Sequence, residues 1–195
     1  MNDGKNLQML SGGQAVVESL KVEGVKHVFG LIGSATMELF DALYDAKDIR
    51  FIGVRDERTG THMADGYARA TGQPGIIIAG QNGPGVTNLV TGIAQANAAF
   101  SPVVSLAGAV ATEHVGKDAF QEIDQQALFE TITKKTWSIK QTNKIPGILS
   151  EAFNFALTPR CGPVHINLPR DVLSNSDNFG EFKKIQNTVT PTATN

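Results

Sequence analysis

Much is scarce in this sequence. One cysteine, Cys161, among 195 residues excludes an internal disulfide and fits a reducing, cytoplasmic setting. Neither charge sign is in excess. The 17 Lys and Arg against 19 Asp and Glu leave a net charge of -2, which gives no footprint for nucleic acid or an anionic membrane. Apolar runs are short, and none approaches the roughly 20 residues needed to cross a bilayer. The first ten residues, MNDGKNLQML, lack the charged start and apolar stretch of a signal peptide. The four histidines, His27, His62, His114 and His165, are scattered without ligand spacing, so no metal site is expected from this chain alone.

What is present is a regular alternation of buried-looking strands and amphipathic helices. Ser11 with Gln14 three positions on predicts a capped helix start, and Val16, Val17, Leu20 and Val22 supply its apolar stripe. HVFGLIG, IRFIGV, GIIIA, PVVSLAG, a stretch around Trp137 and PVHINLP read as strands. Helical spacing recurs after Met37, over Glu57 to Ala70, from Val86 to Ala94, near 124–131 and from Ile145 to Ala156. Such an order predicts an α/β fold: a mostly parallel central sheet with helices on both faces. Residues 11–175 form the expected domain, with 1–10 as an N-terminal tail and 176–195 as a linker or tail. Ligands of such sheets collect beyond the carboxyl ends of the strands. There the chain places GSAT, RDER, QNGPG and the long segment AGAVATEHVGKDAFQE.

Two phosphate-binding patterns fail at QNGPG. A Walker loop needs a lysine after its last glycine, and a dinucleotide fingerprint needs glycine at position 88, which is Asn88. What remains is a strand, a tight turn and a helix opened by Pro84, where a missing N–H costs nothing. Gly83 and Gly85 can serve a ligand or merely let helix and sheet pack closely. Glu57 is similarly open. It can complement the dipole of its helix, with Asp56 as cap and Arg55 and Arg58 in water, or it can be a buried acid with a proton to manage. His62 reads as a packed or exposed helix residue, and Phe120 and Gln121 can simply anchor a long loop.

GVKHVFGLIGS, RDERTGTHMADGYARATGQPG, GQNGPGVTNLVTGIAQA, SPVVSLAG, GKDAFQEIDQQALFETITK and GPVHINLPRDV occur in the order seen in thiamine-diphosphate enzymes, and the sequence resembles their acetolactate synthase group. The resemblance runs from residue 11 to about 173 and implies the N-terminal, pyrimidine-binding domain of a thiamine-diphosphate fold. The usual chain in that group is about three times as long, with three domains. Its diphosphate motif, GDG followed by a downstream Asn, is absent here, so the resemblance implies a fragment, a split subunit or a truncated reading frame.

In that group, the glutamate matched by Glu57 hydrogen-bonds a pyrimidine nitrogen. It thereby favours the imino tautomer that removes the thiazolium proton. Ile32, Gly33 and Ser34 match the turn facing the reacting carbon. Gln81, Gly83, Pro84 and Asn88 match the turn against the pyrimidine. Phe120 and Gln121 match a loop reaching the active site, with Gln81, Phe120 and Gln121 facing substrate. The catalytic assignments are Glu57 and Gln121. The resemblance further implies thiamine diphosphate, Mg2+ held by a diphosphate domain, possible FAD and a 2-keto acid substrate such as pyruvate. It also implies branched-chain amino acid biosynthesis. The full-length protein would be a homodimer or tetramer, or would pair with a separate diphosphate-domain subunit.

Two departures bear on the substrate. Acetolactate synthases usually have Gly-Tyr-Pro-Gly-Gly where this chain has GLIGS, and His-Glu-Gln where it has DER. GLIGSA and GQNGPG are closer to sulfoacetaldehyde acetyltransferase, while GVTNLVTGIA and GKDAFQEID are closer to acetolactate synthase. The carboligase is the favoured reading. A catalytically silent binding or regulatory remnant is the alternative from another class, and a nucleotide-binding domain is disfavoured by the failed phosphate-loop patterns.

Overall fold

A computed structural model describes residues 7–184. Six parallel strands form the central sheet: β2 (His27–Leu31), β3 (Arg50–Gly53), β4 (Gly75–Ala79), β5 (Val103–Ala109), β6 (Lys135–Ser138) and β7 (Val164–Pro169), in spatial order β3-β2-β4-β5-β7-β6. The helices are α1 (Gly12–Val22), α2 (Met37–Asp45), α3 (Glu57–Thr71), α4 (Pro84–Ala98), α5 (Gln125–Glu130), α6 (Ile145–Leu157) and α7 (Arg170–Ser174). The predicted α/β architecture with helices on both faces is therefore observed.

Alternation along the strands assigns each face its partners. Ile76 and Ile78 of β4 join a cluster with Leu20 of α1, Leu39 of α2, Leu149 of α6 and Leu173 of α7. Ile77 and Ala79 face the other way, onto Ala64 of α3, Val86, Leu89 and Ile93 of α4, and Phe129 of α5. All five residues of β4 are buried, which is why its sequence is an unbroken oily run rather than an alternation. The capping box predicted at Ser11 is present in both directions.

Three elements differ from the sequence reading. The β1 strand (Gln8–Ser11) pairs antiparallel with β8 (Ser176–Phe179); β1 straddles the expected boundary at residue 10, and β8 lies within the segment expected as linker or tail. Residues 1–6 and 185–195 of those tails lie outside the described residues. Each strand has four residues in a two-stranded sheet, too short for a decisive alternation. Helix α7 follows directly on Pro169, and its five residues bury only Val172 and Leu173, so its periodicity is invisible.

The direction of the connections reverses between β2 and β4. The turn after β2 leads outward to β3, and the turn after β4 leads the opposite way to β5, so the chain departs in opposite directions from neighbouring strands. Crevices at such reversals are where open parallel sheets hold ligands.

Candidate active site

The turn after β2 and the turn after β4 touch through backbone. Gly33 lies so close to Gly80 that a Cβ on it would sit 2.3 Å from the Gly80 carbonyl oxygen. That oxygen accepts from the Ala35 N–H at 3.1 Å and from Thr36 Oγ1 at 3.3 Å. Only glycine fits there, because backbone rather than a movable side chain fills the space. This packing fixes Ser34 opposite Gln81. Ser34 Oγ donates to Gln81 Oε1 at 2.8 Å, and Gln81 Nε2 donates to Gln121 Oε1 at 2.6 Å. Side chains separated by 40 or more positions are thus joined in one relay.

The 109–124 loop is clamped onto the same turn. Asn82 Nδ2 donates to the carbonyls of Phe120 and Gln121 at 3.2 and 3.1 Å. Gln121 has φ 61°, a left-handed conformation that costs a non-glycine residue about 1 kcal/mol or more. Gly83, with φ 56°, meets it, since a Cβ there would lie 2.7 Å from the Gln121 carbonyl oxygen. The strained Gln121 is thus held against a glycine that adopts its positive φ at no steric cost.

Glu57 is a buried acid. Its side chain sits in the first turn of α3 with 4% of the residue exposed, while Arg55 and Arg58 point into water and Asp56 caps the helix through the Arg58 N–H at 2.8 Å. Oε2 accepts from Asn88 Nδ2 on α4 at 3.0 Å. Oε1 faces the first turn of α4, where a Cβ on Gly85 would lie 2.9 Å from it and 3.2 Å from Gln81 Cβ. Gly85 therefore lets the first turn of α4 pack directly against the carboxylate, where any side chain would collide with it. The α3–α4 pair that sets this spacing is itself close-packed at Gly92, where a Cβ would meet Thr61 Cγ2 at 2.5 Å.

Of the sequence candidates, Gly33, Ser34, Gln81, Gly83 and Gln121 converge where the turns after β2 and β4 meet, and Glu57 and Asn88 form a second group joined to them through Gly85. Ile32 and Phe120 are 64% and 84% exposed, and Pro84 opens α4 with its ring in solvent. His62 is an exposed helix residue. Sequence reasoning did not single out Asn82 or Gly80 as site residues, and left Gly85 open between ligand and packing. Their signal was their position within the AGQNGPG turn, which spacing alone assigns to packing.

Residues 10–128 match the family described as "Thiamine pyrophosphate enzyme, N-terminal TPP binding domain". The chain belongs to this family. Relatives of the thiamine pyrophosphate enzyme domain include the probable acetolactate synthase large subunit of Methanocaldococcus jannaschii, 49% identical over 163 residues, which are 84% of this chain and 27% of that protein. Acetolactate synthase isozyme 3 large subunit of Escherichia coli is 45% identical over 168 residues, 86% of this chain and 29% of that protein. The acetolactate synthase large subunit of Buchnera aphidicola is 42% identical over 173 residues, 89% of this chain and 30% of that protein. The thiamine pyrophosphate domain thus spans less than a third of the curated relatives it matches. Among its described residues no helix is long and apolar enough to cross a membrane.

Proposed function

We propose that this domain holds the aminopyrimidine half of thiamine diphosphate in a carboligase of the acetolactate synthase kind, acting on pyruvate or a related 2-keto acid. The observation that carries this reading is the Glu57 carboxylate: buried, gripped on one oxygen by Asn88, with the other turned toward Gly85 in the first turn of α4. A heteroaromatic ring nitrogen with a proton to share would partner this acid, since a buried carboxylate needs hydrogen-bonding partners. The cofactor, when bound, supplies the nucleophile and electron sink for the keto carbon. Glu57 would hold the ring nitrogen and move a proton to and from it. Asn88 keeps the carboxylate from turning. Gly33, Gly83 and Gly85 let backbone approach the ring, while Ser34 and Gln81 fix the Gln121 amide, which orients the substrate carbonyl.

Diphosphate, its Mg2+, any flavin, and the dimeric or tetrameric assembly belong in this reading to the remaining length of the larger relatives. Mixing the chain with a diphosphate-domain partner should give pyruvate turnover that requires thiamine diphosphate. Glu57→Gln should then lower turnover about 10²- to 10⁴-fold at saturating cofactor, with folding intact. Unchanged turnover would remove the role assigned to Glu57. One observation favours a second reading, acetyl transfer from sulfoacetaldehyde to phosphate. The Ser34 hydroxyl, hydrogen-bonded to Gln81, stands where acetolactate synthases usually carry glycine. Release of acetyl phosphate and sulfite when sulfoacetaldehyde and phosphate replace pyruvate in the same mixture would select it.

A further inference from the structure

The segment between β5 and α5, residues 110–124, carries Gln121 and is fastened at separate points. Near its start, Asp171 accepts from the Thr112 N–H at 3.0 Å and from the Thr112 hydroxyl. Further along, the Glu122 carboxylate accepts from the Gly116 N–H at 2.6 Å and the Ala119 N–H at 3.1 Å. Neither fastening reaches the carbonyls of Phe120 and Gln121. Among the described residues, both carbonyls accept from Asn82 Nδ2 alone, at 3.2 and 3.1 Å. Gly83 admits the Gln121 carbonyl to this seat, since a Cβ there would lie 2.7 Å from its oxygen.

The tie matters because of the backbone it holds. Gln121 has φ 61°, a region that a residue with a Cβ leaves unless its surroundings hold it there. A return to negative φ re-aims the Cα–Cβ bond relative to the loop, and with it the amide at the end of the side chain. That amide is set from its other end as well. Its Oε1 accepts from Gln81 Nε2 at 2.6 Å, which leaves Nε2 and its two protons without a partner among the described residues. A pair of N–H donors suits an acceptor such as a keto oxygen or a carboxylate. Asn82 itself is 7% exposed and directs its Nδ2 donors at loop carbonyls, so it has none left for a substrate. Whatever Asn82 does for the chemistry, it does through Gln121.

We propose that Asn82 is a positioning residue, which holds the Gln121 backbone left-handed so that the Gln121 amide meets the 2-keto acid as a donor. Asn82 thereby governs affinity for the substrate and not for the cofactor. This deepens the function proposed above and rests on the role given there to Gln121.

The test has two arms. In the 15N,13C-labelled 195-residue chain, Asn82→Asp keeps the shape of the side chain and removes both donors, and Asn82→Ala removes the side chain itself. In either variant the Cα and Cβ shifts and the HN–Hα coupling of Gln121 should leave left-handed values for extended ones. The side-chain amide signals of Gln81 should move with them, while core amides such as Ile77 and Leu106 stay in place. In the mixture with a diphosphate-domain partner, the KM for pyruvate should rise about tenfold, the size expected for a lost hydrogen bond, with the half-activating concentration of thiamine diphosphate unchanged. In a Gln121→Ala background the same substitutions should leave that KM where it was. A Gln121 that stays left-handed in both variants, an equal loss of affinity for cofactor, or a full KM effect without the Gln121 side chain would each overturn the proposal. If the unaltered mixture turns over no pyruvate while Asn82→Asp still releases Gln121, the carboligase reading falls and the hold of Asn82 on the loop stands.

Discussion

The grip of Asn88 on Glu57 can be measured in the free chain by a double-mutant cycle. Asn88→Ala removes the Nδ2 donor that lies 3.0 Å from Glu57 Oε2. A hydrogen bond to a charged group contributes about 1.5–3 kcal/mol. Glu57 is buried but Asn88 itself is exposed, so water reaches one end of the pair and the lower part of that range applies. The expected loss is about 1–2 kcal/mol. In a Glu57→Ala background the same change touches only a surface residue, and should cost no more than about 0.5 kcal/mol. The coupling energy is therefore about 1 kcal/mol. With a urea slope of about 2 kcal/mol/M, Asn88→Ala should move the unfolding midpoint down by roughly 0.5–1 M, and the Glu57→Ala background should nearly abolish the movement. Equal shifts in the two backgrounds would show that the pair is not coupled, and the account of a positioned carboxylate would fail.

Other outcomes follow from single features. Gly92→Ala forces a Cβ against Thr61 Cγ2 at 2.5 Å and should destabilise the fold by about 1–2 kcal/mol in urea unfolding, despite the better helix propensity of alanine. His165 is pushed down to about 3, mainly by burial and against the opposing effect of Asn167. It stays neutral in the folded chain while the unfolded chain binds a proton below the ordinary value of 6.5. Stability should therefore fall as pH drops from 6.5 toward 3, and His165→Gln should remove that component of the slope whatever its own stability. The backbone N–H groups of Gly116, first, and Ala119 hold the Glu122 carboxyl below its ordinary value of 4.5. Its hold on the loop is complete above that value and is lost as pH falls through the lowered one, so amide exchange at Gly116 and Ala119 should accelerate only below about 4.5.

The sheet was legible because β-branched runs such as GIIIA have no other use, and because the helices between them keep their apolar residues in register. The β1–β8 ribbon and α7 were not, since four or five residues cannot display a period that tertiary contacts alone enforce. At the site, local sequence left Glu57 undecided between solvent and interior. Its burial depends on Asn88 and Gly85 of the following helix, 31 and 28 positions away, and no reading of RDER by itself contains them. The relay from Ser34 to Gln121 was likewise hidden, because its members are joined only when Gly33 and Gly80 touch. Resemblance placed these residues on one list; geometry gave each its neighbour.

The antiparallel ribbon has a consequence for how such a domain can be used. Ser11 sits opposite Ser176 and Gln8 opposite Phe179, so the polypeptide enters and departs at adjoining points. A cassette with its two leads side by side can be spliced into a longer polypeptide, or swivel as a unit on that paired stem, without tension reaching the close-packed glycine turns.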